Sequence, residues 1–144
     1  MVFTPTHSTS VDTYLTLRIG NLQINKVTSI KCLGLTIDEK LDWKVHIQEL
    51  CLTLRKFVGI FYKLSQNLPQ HILKMLYFAL VYPRILYGIE NYANTYLSYL
   101  HDLMVLNNRI LRILQHSKKS THTQDLYICY KILPIDKLFK YQVL

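Results

Sequence analysis

The residues able to do chemistry in this 144-residue chain are few and scattered. Its nine acids are Asp12, Asp38, Glu39, Asp42, Glu49, Glu90, Asp102, Asp125 and Asp136. Two-metal phosphoryl transfer needs clustered carboxylates, which hold divalent ions about 4 Å apart across the transferring group. No Asp-Asp pair exists. Asp38, Glu39 and Asp42 are the only close set, and turn and capping roles account for them. Six histidines and three cysteines invite a zinc reading, but His116, His122 and Cys129 lack a standard ligand spacing. No nucleophile elbow frames a Ser-His-Asp set, and no glycine-rich loop could cradle a phosphate. On its residues alone the chain reads as a basic, helical, non-catalytic module.

Cys32, Cys51 and Cys129 are odd in number and have no CxxC spacing. Cys32 and Cys51 sit among apolar residues, which predicts buried thiols in a reduced, intracellular protein. The opening "MVFTPTHSTS" has neither the basic nor the apolar region of a secretory signal. The most apolar stretch, "ILKMLYFALVYPRILYGI", contains Lys74, Pro83 and Arg84 and reads as a buried helix pair, not a membrane span. Lys118-Lys119 is too short an import signal to choose between nucleus and cytoplasm.

Lysine and arginine outnumber aspartate and glutamate by 17 to 9, giving a net charge of +8. From Leu103 onward, Arg109, Arg112, Lys118, Lys119, Lys131, Lys137 and Lys140 face only Asp125 and Asp136. A positive helical surface suits a polyanion, most simply nucleic acid, or is merely a solvated face.

The elements that must carry these residues follow from periodicity. "YLTLRIGNLQI" alternates around Gly20-Asn21, which predicts a two-residue type II′ hairpin. A third strand is expected over Ile30–Ile37, with Gly34 at its centre. Beyond Asp42, a plausible N-cap, the period becomes helical. Trp43, Ile47, Leu50, Leu54, Phe57 or Val58, Phe61 and Leu64 form one stripe. Pro69 opens a second helix, which runs to about Val81. Pro83 interrupts it, and a short helix carries "RILYGIENYA". A long helix over about Tyr96–Gln115 takes Leu97, Leu100, Leu103, Met104, Leu106, Ile110, Leu111 and Leu114 as its core. Two short helices, split by Pro134, end the chain. The expected class is α+β, mostly α: a small antiparallel β element followed by a helical bundle.

The ordered motifs carry a resemblance. Leu33-Gly34, Ile37-Asp38, Leu41, Trp43 and His46-Ile47 resemble the "LGxxIDxxLxWxxHI" found just beyond the catalytic palm in reverse transcriptases of non-LTR retrotransposons, especially the jockey-like group. Leu76-Tyr77, Pro83 and the "YGIE" of Tyr87–Glu90 are similar to that family's "LY…P…YGIxxWG". Leu106–Leu114 resembles its "LQxRAxRxI", and "TQDLYICYKILPIDKLFKYQ" its terminal segment. "MVF" resembles the end of its "KTxxMVF" strand. The match covers roughly residues 1–3 and 14–142. Tyr92-Ala93 stands where the family has Trp-Gly, and Asn107 where it has Gln.

The resemblance implies a palm remnant with a hairpin and primer-grip strand over 1–41, a thumb-like bundle over 42–115, and a C-terminal loop with short helices over 116–144. It implies an RNA-directed DNA polymerase as parent, with magnesium as that parent's cofactor. The parent's metal-binding aspartates lie upstream of the matched region, so the chain itself is expected to hold no cofactor and to catalyse nothing. Gly34, lacking a Cβ, would let backbone approach the primer phosphates. On the residues alone, a β-bulge or tight packing under Trp43 explains Gly34 as well. Lys44, Arg55, Lys56 and Lys63 would follow a template–primer duplex. Leu33, Asp38 and Trp43 would be structural anchors, Trp43 fixing the first thumb helix to the palm edge. The expected partners are an RNA–DNA or DNA duplex, held with a Kd on the order of 10⁻⁴–10⁻⁶ M, and the enzyme's missing palm and fingers. No membrane is involved. The alternative is a helical protein-interaction module, or an inert or co-opted remnant, self-associating through an exposed apolar hairpin.

Overall fold

The computed structural model describes residues 18–116 and 122–143. The expected strand tail at Val2-Phe3, the loop over Thr4–Thr13, the hairpin residues 14–17 and Lys118-Lys119 lie outside them. Contacts divide the chain into two compact units, Met1–His46 and Ile47–Leu144. The structure is α+β, mostly α, with two antiparallel two-stranded sheets followed by helices.

The first unit is built from two hairpins. β1 (Arg18–Ile19) pairs with β2 (Leu22–Gln23), Arg18 opposite Gln23 and Ile19 opposite Leu22. Gly20 turns the chain with φ +58°, while Asn21 keeps a negative φ. That combination is the first-position glycine of a type II′ turn, as the sequence predicts.

The expected single strand over 30–37 is instead a second hairpin. β3 (Ser29–Cys32) folds back on β4 (Leu35–Asp38), with Cys32 opposite Leu35 and Ser29 opposite Asp38. Leu33 and Gly34 are the two turn residues, at φ +48° and +82°. Two consecutive positive φ values belong to a type I′ turn, whose twist matches that of the strands. Glycine takes the second at no steric cost, and Leu33 bears the strain of the first. Gly34 is thus neither a bulge nor a strand centre; it is where the chain reverses.

Polar ties hold the end of this unit. In an antiparallel hairpin closed by a two-residue turn, hydrogen-bonded pairs alternate with pairs whose N–H groups point outward. Thr36 falls at an outward position, and its buried N–H donates to His46 Nδ1 at 3.4 Å. Asp38 Oδ1 accepts the Asp42 N–H at 3.0 Å, and Asp42 Oδ1 accepts the Lys44 N–H at 3.0 Å. The Glu39 N–H reaches the Thr28 carbonyl at 3.0 Å. Leu41 and Trp43 take φ +55° and +60° within this turn.

The second unit is helical. α1 (Lys44–Leu64) begins in the first unit and continues through the second. It buries Ile47, Leu50, Cys51, Leu54, Val58 and Phe61 along one side. Val58 takes the core place and Phe57 is half-buried. Trp43, expected in this stripe, precedes the helix at positive φ and is half-buried; Leu64 is also half-buried.

α2 (Gln70–Leu80) starts after Pro69, whose φ of −68° is preset for a helix start and whose carbonyl accepts the N–H groups of Ile72 and Leu73. α3 (Tyr82–Leu86) restarts the chain with Pro83 in its first turn. Where one short helix is expected, Gly88 at φ +69° ends α3 and begins α4 (Ile89–Tyr92). A left-handed residue cannot continue a right-handed helix, so one periodic stretch becomes two turns. The buried Tyr92 hydroxyl, which donates to the Ile85 carbonyl, ties the two together.

α5 (Leu97–Leu114) packs on α2 and on α6 (Thr123–Tyr130), and α7 (Ile135–Val143) packs on α4. Within α5's stripe, Leu97 is exposed and Met104 half-buried, while Asn107 is buried. Asn107 is satisfied: its Oδ1 accepts from the Tyr77 hydroxyl at 2.9 Å, and its Nδ2 donates to the Tyr127 hydroxyl at 3.4 Å. Tyr127 donates in turn to Asn108. These bonds join α2, α5 and α6 at one buried point. A polar group there is tolerable because it is fully paired.

Candidate nucleic-acid interface

α1 is amphipathic with a basic outer surface. At 3.6 residues per turn, the buried stripe leaves Leu52, Arg55, Lys56, Gly59, Ile60, Tyr62 and Lys63 on the solvent side, and all are exposed. Lys56 and Lys63 stand seven residues apart, two turns along one row, and Arg55 lies beside them. Glu49 is the helix's one acid. Arg55, Lys56 and Lys63 thus share one face of the second unit. Lys44, at the start of the same helix, is exposed in the first unit.

Two of the unit's other cations, Arg84 and Lys74, differ in setting. Arg84 lies over the Phe57 ring at 5.2 Å and donates to the Leu80 carbonyl at 2.9 Å. Lys74 lies over the Tyr130 ring at 5.1 Å. Both are drawn against the bundle by aromatic faces. Arg55 and Asp102 both act electrostatically on the Cys51 thiol. Burial first, then Asp102, pushes the Cys51 thiol above its ordinary value, while Arg55 opposes them. A buried thiol held protonated is a packing residue, not a nucleophile. The expectation of buried thiols holds for Cys51 alone: Cys32, on β3, and Cys129, on α6, are exposed.

In the first unit the anchor assignments separate. Leu33 is 85% exposed at the tip of the turn, outside any core. Gly34 is exposed beside it. The turn backbone and the Leu33 side chain are therefore both at the surface. Asp38 ends β4, and its Oδ1 holds the turn that leads to α1. Its other carboxylate oxygen, Oδ2, is buried with no partner. Burial is the main reason its carboxyl is raised above the ordinary value; the Asp42 N–H opposes the rise and the Asp42 carboxyl adds to it.

Trp43 meets His46 edge-on, ring centroids 6.4 Å apart. His46 is the tie that sequence reasoning passed over. It reads as one more motif residue, yet its imidazole caps the Thr36 N–H. Histidine three residues after a tryptophan is the only local signal, and it does not specify a strand N–H as partner.

Among the described residues no group of three histidine, cysteine, aspartate or glutamate side chains could hold a metal. Asp38 is buried and raised, and Asp42 spends an oxygen on the Lys44 N–H. No helix among the described residues is long and apolar enough to cross a membrane.

No protein-family model, curated protein or solved structure matches the chain.

Proposed function

We propose that this chain is the primer-grip and thumb region of a reverse transcriptase of the non-LTR retrotransposon kind, and that it binds nucleic-acid duplex without catalysing a step of its own. The observation that carries the binding is the exposed face of α1, where Arg55, Lys56 and Lys63 stand together opposite a fully buried stripe. Three cations along one helix match the regular phosphates of a duplex and read no sequence. The exposed turn at Leu33-Gly34 supports a grip role for that loop, because Gly34 has no side chain to keep a phosphate away from the backbone. The family assignment rests on the order and spacing of the sequence motifs.

A titration of the chain with an RNA–DNA primer–template duplex tests the reading. Binding is expected with a Kd on the order of 10⁻⁴–10⁻⁶ M, weakening from 50 to 200 mM salt as counterions compete. Arg55→Glu/Lys56→Glu/Lys63→Glu, all at exposed positions, should abolish it with the fold intact by circular dichroism. Salt-independent affinity, or a triple variant that binds normally, sinks the proposal.

A second reading has its own observation. Ile19, Leu22, Ile24, Val27, Ile30 and Leu33 are all exposed in the first unit, an apolar surface of the kind that meets another protein. Concentration-dependent self-association that is abolished by Ile19→Lys/Leu22→Lys, with the basic face idle, favours a protein-interaction module.

A further inference from the structure

Gly59 sits inside α1, in its last third but more than a turn from its end, where the fold makes no use of a glycine. It is exposed, its φ is not left-handed, and a Cβ built on it would meet nothing within 4 Å. Packing therefore does not demand it. A mid-helix glycine costs the helix roughly 1 kcal/mol relative to alanine. The residue weakens the interior of a 21-residue helix on its exposed face, and a side chain there would meet nothing inside the chain.

Its surroundings suggest what it gains outside. Side chains three and four residues away on a helix stand around a given position. For Gly59 these are Arg55 and Lys56 on one side and Tyr62 and Lys63 on the other. All four are exposed. Gly59 is therefore the floor of a notch walled by three cations and a phenol. The missing Cβ lets a partner reach the helix backbone by the depth of a methyl group, with the cationic stems rising around it. Tyr62, 61% exposed, offers a ring face and a hydroxyl at the rim.

We propose that the Gly59 notch is the point of closest approach between this chain and the sugar–phosphate backbone of a bound nucleic-acid duplex, with Arg55, Lys56 and Lys63 gripping phosphates around it. This rests on the nucleic-acid reading above and adds a residue that bears no charge. A flat basic helix would attract a duplex equally from any side. A notch selects one strand segment and brings it into contact, so shape joins charge.

The test fills the notch and leaves every charge in place. Gly59→Ala and Gly59→Leu are compared with the natural chain on a fluorescent RNA–DNA duplex at 50 and 200 mM salt. Both variants should melt no earlier than the natural chain, since alanine and leucine favour helix and have room. Affinity should fall modestly with alanine and about tenfold with leucine, the equivalent of about 1.4 kcal/mol. Leucine binding as tightly as glycine overturns the notch while the nucleic-acid reading stands. No binding by the natural chain at low salt overturns both. Vesicles of phosphatidylserine and phosphatidylcholine are the control. If they bind as well as the duplex, with the same sensitivity to leucine, the occupant is a lipid surface and the proposal fails.

Discussion

The two units reach order by different means. In the helical unit, Leu54, Phe61, Leu73, Tyr77, Ile110, Leu111 and Leu114 are sealed from solvent, and burial of apolar surface is the dominant favourable term. In the hairpin unit every residue from Arg18 to Gly34 is exposed. Among its described residues the buried side chains are polar: Thr36, Asp38 and His46. It is specified by turn conformation and by hydrogen bonds that cap outward-facing backbone groups. The lesson is that one chain can fold half by bulk and half by local stereochemistry. The two halves should then fail under different substitutions.

The largest effect should come from the core. Phe61→Ala removes a fully buried ring and is expected to cost about 3–5 kcal/mol, a large share of a small domain's stability. The counterpart in the hairpins, Leu22→Ala at a 76% exposed position, should stay within about 0.5 kcal/mol. Urea unfolding of both variants measures the difference. Equal losses would mean that the hairpin surface is also a core.

A turn substitution should reverse the contrast. Gly34→Val places a β-branched residue at φ +82°, where an L side chain costs at least about 1–2 kcal/mol. Amide exchange should quicken across Ser29–Asp38 while the protection of α5 is unchanged. Loss of protection in α5 would show that the turn supports more than its own unit.

The smallest effect is a pH dependence. Asp38 is raised in the folded state above an ordinary value near 3.8, so folding disfavours its charge. Its contribution to stability is fully present below pH 3.8 and is lost as pH rises through the folded value. Asp38→Asn keeps an Oδ1 to accept the Asp42 N–H and removes the titration. Relative to that variant, the natural chain should lose stability from acid toward neutral pH. A difference between the two that grows as pH falls would contradict the burial of the carboxyl.

Much of the helical unit was legible because helical periodicity and proline are local signals. Pro69, Pro83 and Pro134 each mark the break that the structure contains. The hairpin at Gly20 was equally plain, since glycine followed by asparagine suits a tight turn between alternating residues. Of the site, the exposure of Lys44, Arg55, Lys56 and Lys63 followed from the α1 stripe. Leu33 and Trp43 were misplaced for a common reason. Apolar character suggests burial in a regular element, yet both sit at positive-φ turn positions, Leu33 exposed and Trp43 half-buried.

By itself, then, the sequence determined the α+β class, the order of the elements, most helix limits and the sign of the surface charge. These depend on neighbours within a few residues. Tertiary structure decided the rest. Leu33-Gly34 became a reversal because β4 pairs with β3, and an apolar run does not announce its pairing partner. Asn107 went inside because Tyr77 and Tyr127, 30 and 20 residues away, arrive to satisfy it. His46 became a capping group because an outward strand N–H faces it. Each of these depended on a partner that the residue's own type and neighbours do not specify, and only the folded chain supplies it.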